Sequence, residues 1–287
     1  MNTSVLSGCT DLHVHSNYSD GTCSPKELAD IAVNIGLKSF ALTDHDTVDG
    51  IPELLEYTKQ LADKGIFLLV IPGVELSCAF DGPDLHILGL NIDYTSPVLI
   101  EKLKECLESR RNRNDKMIHN MQKLGFDITK EKIYEHYGDV SITRAHFARY
   151  LTDMGYVSDK NEAFEKYLGF DGPVYVKREK LTPKEAIELI LAAGGHPVIA
   201  HPLLYKCDDT RLNELIYELK GYGLEGIEAV YSLNSPEDNI YLENLADKYG
   251  LFITGGSDFH GSNKPDISMG TGRGNLRIPE TLLNSIL

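Results

Sequence analysis

Residues 24–46 read SPKELADIAVNIGLKSFALTDHD. Ser24 is placed to cap a helix that Pro25 opens, and Gly36 is placed to close it. Between them Leu28, Ile31, Ala32 and Ile35 recur at helical spacing and form one apolar stripe. Residues 39–43 follow at once as a short buried strand, which ends in Asp44-His45-Asp46. A helix feeding a strand with polar, metal-competent residues at its tip is the unit of an α/β barrel, whose chemistry gathers at the C-terminal ends of the strands.

The same unit recurs outward in both directions. Strand patterns fall at residues 12–15, 66–71, 86–90, 197–200, 226–231 and 251–254, and the 66–71 run leads into Pro72-Gly73-Val74-Glu75. Helical patterns at 52–64 and from Thr182-Pro183 to Gly194-Gly195 separate them, a rhythm that predicts parallel βα units. The middle breaks this rhythm. From about 97 to 178 there is no buried strand, only helical patterns at 98–124, 143–154 and 161–168. The expected organisation is a barrel in two parts, residues 1–97 and 179–287, with a helical insertion over 98–178. The insertion's basic run Arg110-Arg111-Asn112-Arg113 reads as a solvated helix face.

Composition bounds the function. The chain has 287 residues, 42% hydrophobic and 25% charged, as in an ordinary globular protein. Its net charge of −15 excludes a sequence-independent grip on long DNA, which needs a stripe of Lys and Arg. No apolar run reaches the ~20 residues of a membrane span, and Met1-Asn2-Thr3-Ser4 lacks the features of a signal peptide. The expected location is therefore the cytoplasm, without membrane partners. The five cysteines, Cys9, Cys23, Cys78, Cys106 and Cys207, form no CxxC pair and are expected to be reduced thiols.

The chemistry lies at the strand tips. In a strand, residues two apart share a face, so His13 and His15 can grip one ion, as can Asp258 and His260. His45, Glu75 and His201 end other strand patterns, and Asp20 lies in a Ser-Asp-Gly turn able to fold back over them. Burying so many ionisable groups unpaired would cost several kcal/mol each, so a shared metal site is the better reading. His119 and His136 have no such company and read as surface residues.

Six motifs in order carry a family likeness: His13-x-His15-x4-Asp20-Gly21, Thr43-Asp44-His45-Asp46, Pro72-Gly73-Val74-Glu75, His86-Ile87-Leu88-Gly89, Ala200-His201-Pro202 and Ser257-Asp258-Phe259-His260. Together they resemble the PHP (polymerase and histidinol phosphatase) superfamily. The resemblance implies a distorted seven-stranded (β/α)7 barrel that holds two or three divalent ions. Thr143-Arg144-Ala145-His146, Gly172-Pro173-Val174-Tyr175-Val176 and Ala192-Ala193-Gly194-Gly195 extend it to the group of the 3′,5′-nucleotide bisphosphate phosphatase and RNase AM.

Carried over by position, His13, His15, Glu75 and Asp258 would hold one ion. Glu75, His86 and His201 would hold a second, and Asp20, His45 and His260 a third. His146 is open between metal and phosphate; its place in a helical first turn favours phosphate, with Arg144 and, more weakly, Arg178. Histidine-rich ligation suits Mn, Fe or Zn better than Mg. A metal-bridging hydroxide held by Glu75 and Asp258 would attack phosphorus.

The expected function is hydrolysis of phosphate esters on small nucleotides, either monophosphates or 3′,5′-bisphosphates, or at the 5′ ends of short oligonucleotides. Histidinol phosphate phosphatase and a non-catalytic metal-binding accessory module are the alternatives. An amidohydrolase-type deaminase shares the HxH opening but has no need of the cluster Asp20, His45 and His260.

Overall fold

Seven strands form one sheet in chain order: β1 (Thr10–Val14), β2 (Ser39–Leu42), β3 (Leu69–Cys78), β4 (Leu85–Leu90), β5 (His196–Ile199), β6 (Gly226–Tyr231) and β7 (Phe252–Gly256). The computed structural model describes residue 6 and residues 8–80, 84–138 and 140–287, so the reading of Met1–Ser4 lies outside the described residues. The sheet closes on itself. His15 N donates to Phe259 O at 3.0 Å and Asp258 N to His13 O at 2.8 Å, joining the end of β7 to β1. The α/β barrel expected from the sequence is present.

One strand departs from the parallel rhythm. β4 pairs antiparallel with both β3 and β5, while the remaining neighbours are parallel. Only residues 79–84 separate β3 from β4, too few for the dozen or so that a parallel crossover needs. The reversal has a functional result: it brings the start of β4, with His86, to the end of the barrel where the other strands finish.

Alternation sets what faces inward. On β3, Ile71, Gly73, Glu75 and Ser77 share one face, and on β4 His86, Leu88 and Leu90 do so, with Glu75 opposite Leu88 and Ser77 opposite His86. Leu12, Ala41, Ile71, Leu88, Leu90 and Val198 fill the lower interior, where Leu283 and Ile286 plug it from below. On β1 a bulge intervenes. Asp11 pairs with Phe40 and Val14 with Leu42, so both Leu12 and His13 lie opposite Ala41. That extra residue turns His13 inward beside Leu12 rather than outward into the helical layer.

The outer layer consists of α1 (Pro25–Ile35), α2 (Ile51–Ala62), α7 (Pro183–Ala192), α8 (Asp209–Tyr222) and α9 (Pro236–Tyr249). Three of these open with capping boxes, at Ser24/Glu27, Thr182/Glu185 and Ser235/Asp238, and α1 closes on Gly36 with φ 83°. No helix among the described residues is long and apolar enough to cross a membrane, and all five cysteines are free.

Between β4 and β5 run α3 (Pro97–Lys123), α4 (Lys130–Tyr137), α5 (Arg144–Asp153) and α6 (Lys160–Ala163). They surround an apolar cluster of their own, built on Met117, Met121, Ile133, Phe147, Leu151 and Leu168. The pattern at 161–168 is not one α-helix, because a π turn, Phe164–Leu168, follows α6 and returns Gly169 N to Phe164 O at 2.8 Å. The segment lies over the barrel mouth, where Thr143 Oγ1 donates to Asp20 Oδ2 at 3.1 Å and Ser141 N to Tyr18 O at 3.1 Å.

The basic run on α3 corrects the sequence reading. Arg110 and Arg113 are buried, while Asn112 is exposed. Residues 110, 113, 114, 117 and 121 follow the i, i+3, i+4, i+7 spacing of one helical face, shared with buried Met117 and Met121. The charges therefore continue an inward stripe and face the mouth.

Candidate metal centre and anion cavity

Glu75 stands at the centre of the mouth with five imidazoles around its carboxylate. Its Oε2 lies 3.4 Å from His13 Nε2, 3.3 Å from His15 Nε2 and 2.9 Å from His45 Nδ1. Its Oε1 lies 2.8 Å from His86 Nδ1 and 3.0 Å from His201 Nε2. Asp258 Oδ1 faces the same space, 3.7 Å from His13, 3.4 Å from His15 and 3.2 Å from His260. On the far side Asp20 Oδ1 approaches His260 Nε2 at 3.2 Å and His45 Nε2 at 3.7 Å. Among the described residues these side chains form four groups able to hold a metal ion.

Several of these approaches are close in distance yet make no hydrogen bond. The Nδ1 atoms of His45 and His86 and Oδ1 of Asp20 are buried without a hydrogen-bond partner. Nitrogens and carboxylate oxygens that converge on common points without aligned protons are the arrangement expected around cations. The donor set fits divalent ions.

The surrounding field favours positive charge. Burial opposes protonation of His13, but Glu228, Glu75 and Asp258 outweigh it and hold its pKa well above the ordinary value. His15 is likewise raised to about 9 against its burial, by the Asp258 and Glu75 carboxylates beside it. For Glu75 burial pushes the other way, and His86, His45 and His13 keep the carboxyl well below the usual range. A bound cation would exploit that field directly.

A further set of carboxylates holds the metal-competent side chains in place. Glu228, fully buried on β6, accepts from His13 Nδ1 at 2.9 Å and from His201 N at 2.7 Å. The first contact holds the ring so that His13 Nε2 faces the centre. Asp44 accepts from Ser16 N, Ser16 Oγ and Ser19 Oγ and so pins the loop that carries Asp20. Asp11 accepts from Ser257 N and Oγ beside Asp258. Tyr231 and Lys264 occupy Asp258 Oδ2 at 2.8 and 2.5 Å, leaving Oδ1 for the histidines. His201 and Asp258 hold left-handed backbone, φ 29° and 56°, the kind of local strain that collects at functional sites.

Beside this centre lies a cavity of ≈ 180 Å³ lined by Asp20, His45 and His86 on one side and by Arg110, Arg113, Arg144, Arg178 and Lys180 on the other. Asp46 accepts from Arg110 and, at 3.0 Å, from Arg178. Burial opposes its charge, but the two guanidinium groups drive its pKa below the ordinary carboxylate value. Asp84 pairs with Lys180 and more loosely with Arg144, 3.7 Å away; against its burial these cations lower its pKa to about 2. Arg113 has no carboxylate at ion-pair distance among the described residues and donates only to Asn114 Oδ1 at 2.9 Å. Even counting Asp20, Asp46 and Asp84, cations are in surplus, so the cavity is built for an anion.

The PHP domain family profile matches residues 11–168 of the chain, which is more than half of it. The chain belongs to the PHP domain family. Curated relatives span nearly its whole length. A 5′-3′ exoribonuclease of Haemophilus influenzae is 37% identical over 250 residues, 87% of this chain and 89% of that protein. A 3′,5′-nucleoside bisphosphate phosphatase of Chromobacterium violaceum is 36% identical over 251 residues, 87% of this chain and 86% of that protein. Among solved structures, a Bifidobacterium adolescentis protein described as a metal-dependent phosphoesterase superposes with a TM-score of 0.84 at 26% identity, covering 97% of this chain and 95% of that one. As a member of the PHP family with hydrolases for relatives, the protein is an enzyme, a phosphoric ester hydrolase.

All nine metal-competent residues picked out in the sequence meet at the PHP centre: His13, His15, Asp20, His45, Glu75, His86, His201, Asp258 and His260. Arg144 and Arg178 line the cavity. His146 stands apart from both. Its Nδ1 accepts from Thr143 N at 3.0 Å, its ring packs against Tyr137, and burial lowers its pKa to about 4. It caps the helix that carries Thr143 over Asp20. His119 and His136 are both exposed, the latter beside Asp153 at 3.4 Å. Sequence reasoning missed Glu228, Tyr231, Lys264, Asp46, Arg110, Arg113 and Lys180. For Glu228 the available signal is a single charge inside the apolar run Gly226–Tyr231.

Proposed function

We propose that this PHP enzyme hydrolyses phosphate esters of nucleotides, with nucleoside 3′,5′-bisphosphates and the 5′ ends of short oligonucleotides as its substrates. The observation that carries the reading is the adjacency of two complementary sites: a carboxylate and histidine centre suited to cations, and a cation-rich cavity suited to an anion that shares Asp20, His45 and His86 with it. A substrate with two phosphates satisfies both, one at the metal centre and one among the arginines. The names of the Haemophilus and Chromobacterium relatives support nucleotide substrates.

In this reading His13, His15, Glu75 and Asp258 hold one ion, Glu75, His86 and His201 a second, and Asp20, His45 and His260 a third, with manganese, iron or zinc favoured by the histidine content. Bound divalent ions supply Lewis acidity toward phosphate oxygens and lower the pKa of water to about 7. The chain's own residues do the rest. Glu75 and Asp258 present their inward oxygens as acceptors for the attacking water, while Glu228 and Tyr231 keep His13 and Asp258 oriented. Arg113 and Arg144 neutralise and align the second phosphate, and Arg110 and Arg178, braced by Asp46, form the cavity's back wall.

Release of inorganic phosphate tests the reading across nucleoside monophosphates, 3′,5′-bisphosphates, histidinol phosphate and 5′-phosphorylated oligonucleotides with Mn²⁺ present. The expected ranking places the substrates with two phosphates first. Preference for histidinol phosphate, or no turnover of any compound, would overturn it.

A further inference from the structure

One rung between β4 and β5 is made by a side chain. With Ile87 opposite Ile199, the next pair toward the barrel mouth is His86 and Ala200. Antiparallel residues paired in this way exchange two backbone hydrogen bonds. Here one is direct, Ala200 N to His86 O at 3.1 Å. In the place of the other stands the Tyr205 hydroxyl, which accepts from His86 N at 3.0 Å and donates to Ala200 O at 2.7 Å. A hydroxyl can fill that place because it both donates and accepts.

The ring fixes the hydroxyl. Tyr205 is buried at the end of the short 3₁₀ turn Pro202–Tyr205, with the rings of Phe80 and His201 each centred 5.9 Å from its own. What it holds on β5 is the peptide unit between Ala200 and His201. Tyr205 binds the carbonyl of that unit, and Glu228 accepts from its N–H at 2.7 Å. The unit leads into His201, whose φ of 29° is a left-handed conformation that persists only where the surroundings impose it. On β4 the same hydroxyl holds the N–H of His86. These two histidines are the pair that face Glu75 Oε1, at 2.8 and 3.0 Å.

We infer that Tyr205 is a positioning residue of the metal centre: its hydroxyl, wedged between the mouth ends of β4 and β5, sets the spacing of His86 and His201 and with it the affinity of the ion they share with Glu75. This rests on the proposed function, which gives those three residues one ion, and deepens it. Without the hydroxyl, His86 N and Ala200 O are left to bond each other directly. That closure draws the strand ends together and moves both imidazoles from their places at Glu75 Oε1.

Tyr205→Phe removes the hydroxyl alone. Tyr150→Phe is its control, because Tyr150 is also a buried ring whose hydroxyl donates to a backbone carbonyl, Asp127 O at 3.1 Å, but within the helical segment. Titration calorimetry of the full chain with Mn²⁺ is expected to show one ion bound about ten- to a hundredfold more weakly in Tyr205→Phe, with the others unchanged. The Mn²⁺ concentration for half-maximal phosphate release rises by the same factor, and kcat returns at saturating Mn²⁺. Para-aminophenylalanine in place of Tyr205 keeps a donor and an acceptor there and restores the affinity. A purely structural loss would lower the melting temperature, as in Tyr150→Phe, and leave the Mn²⁺ requirement where it is. Unaltered Mn²⁺ affinity in Tyr205→Phe, or an equal loss in Tyr150→Phe, overturns this inference alone. If the unaltered enzyme binds a single ion, the ion assignment of the proposed function fails and the inference fails with it.

Discussion

His13 Nδ1 and Glu228 Oε1 lie 2.9 Å apart, and neither residue is reached by solvent. Glu228 also accepts from the backbone N–H of His201 at 2.7 Å through its other oxygen, so one carboxylate orients one metal-competent histidine and anchors the strand tip of a second. In Glu228→Gln the amide keeps a single acceptor oxygen and loses the charge, so only one of these contacts survives. Carboxylates behind metal-binding histidines contribute about 10–100-fold to affinity. Titration calorimetry with Mn²⁺ or Zn²⁺ is expected to show a loss of that size with the fold retained by circular dichroism. An unaltered affinity would show that Glu228 serves packing only.

Glu75 touches the imidazoles of five histidines through its two oxygens. Glu75→Ala is therefore expected to lose bound metal and phosphate release together, with metal content measured by plasma mass spectrometry. Near-full activity in that variant would falsify the bridging role. Chelation of the unaltered enzyme followed by Mn²⁺ addition should restore activity, whereas the variant should not recover.

Asp46 ties the barrel mouth to Arg110 of α3 and to Arg178 beyond the helical segment. Its carboxyl pKa is lower in the folded protein than the ordinary 3.8, so its contribution to stability is present above pH 4 and fades as acid carries the pH down through the folded value. Asp46→Asn leaves two buried guanidinium groups uncompensated, an expected cost of roughly 3–5 kcal/mol. Denaturant unfolding should show that loss at pH 7 and a smaller difference between the two proteins near pH 3. Equal stability at pH 7 would mean that the pair is replaced by solvent.

What the sequence displayed and what it hid divide along physical lines. The strand-tip residues were legible because an apolar run that ends abruptly in Asp or His has no packing reason to do so. The direction of β4 was not legible, because the strand pattern at 66–71 left residues 72–85 as a connection long enough for a crossover; only the extension of β3 to Cys78 shortens it to residues 79–84. Arg110 and Arg113 were misread because a basic run usually faces water; their helical spacing with Met117 and Met121 was the contrary signal. Glu228, Tyr231 and Lys264 act on metal-competent residues of other strands and loops, a relation that exists only once the barrel closes.

Arg113 is where binding and stability pull in opposite directions. Its side chain is buried, and that burial, with Arg110, Arg178 and Arg144 nearby, presses its pKa well below the ordinary value. An uncompensated guanidinium costs folding free energy that a bound phosphate would offset. Arg113→Met is thus expected to raise the melting temperature of the ligand-free protein by roughly 2–4 °C, the shift for about 1 kcal/mol in a chain of this size. The same change should raise KM for a nucleoside 3′,5′-bisphosphate by about ten- to a hundredfold, as befits the loss of a charged hydrogen bond to phosphate. Inorganic phosphate should stabilise the unaltered protein in the melt more than the variant. If the variant melts lower and binds phosphate equally well, Arg113 is a structural residue and the anion lies elsewhere in the cavity.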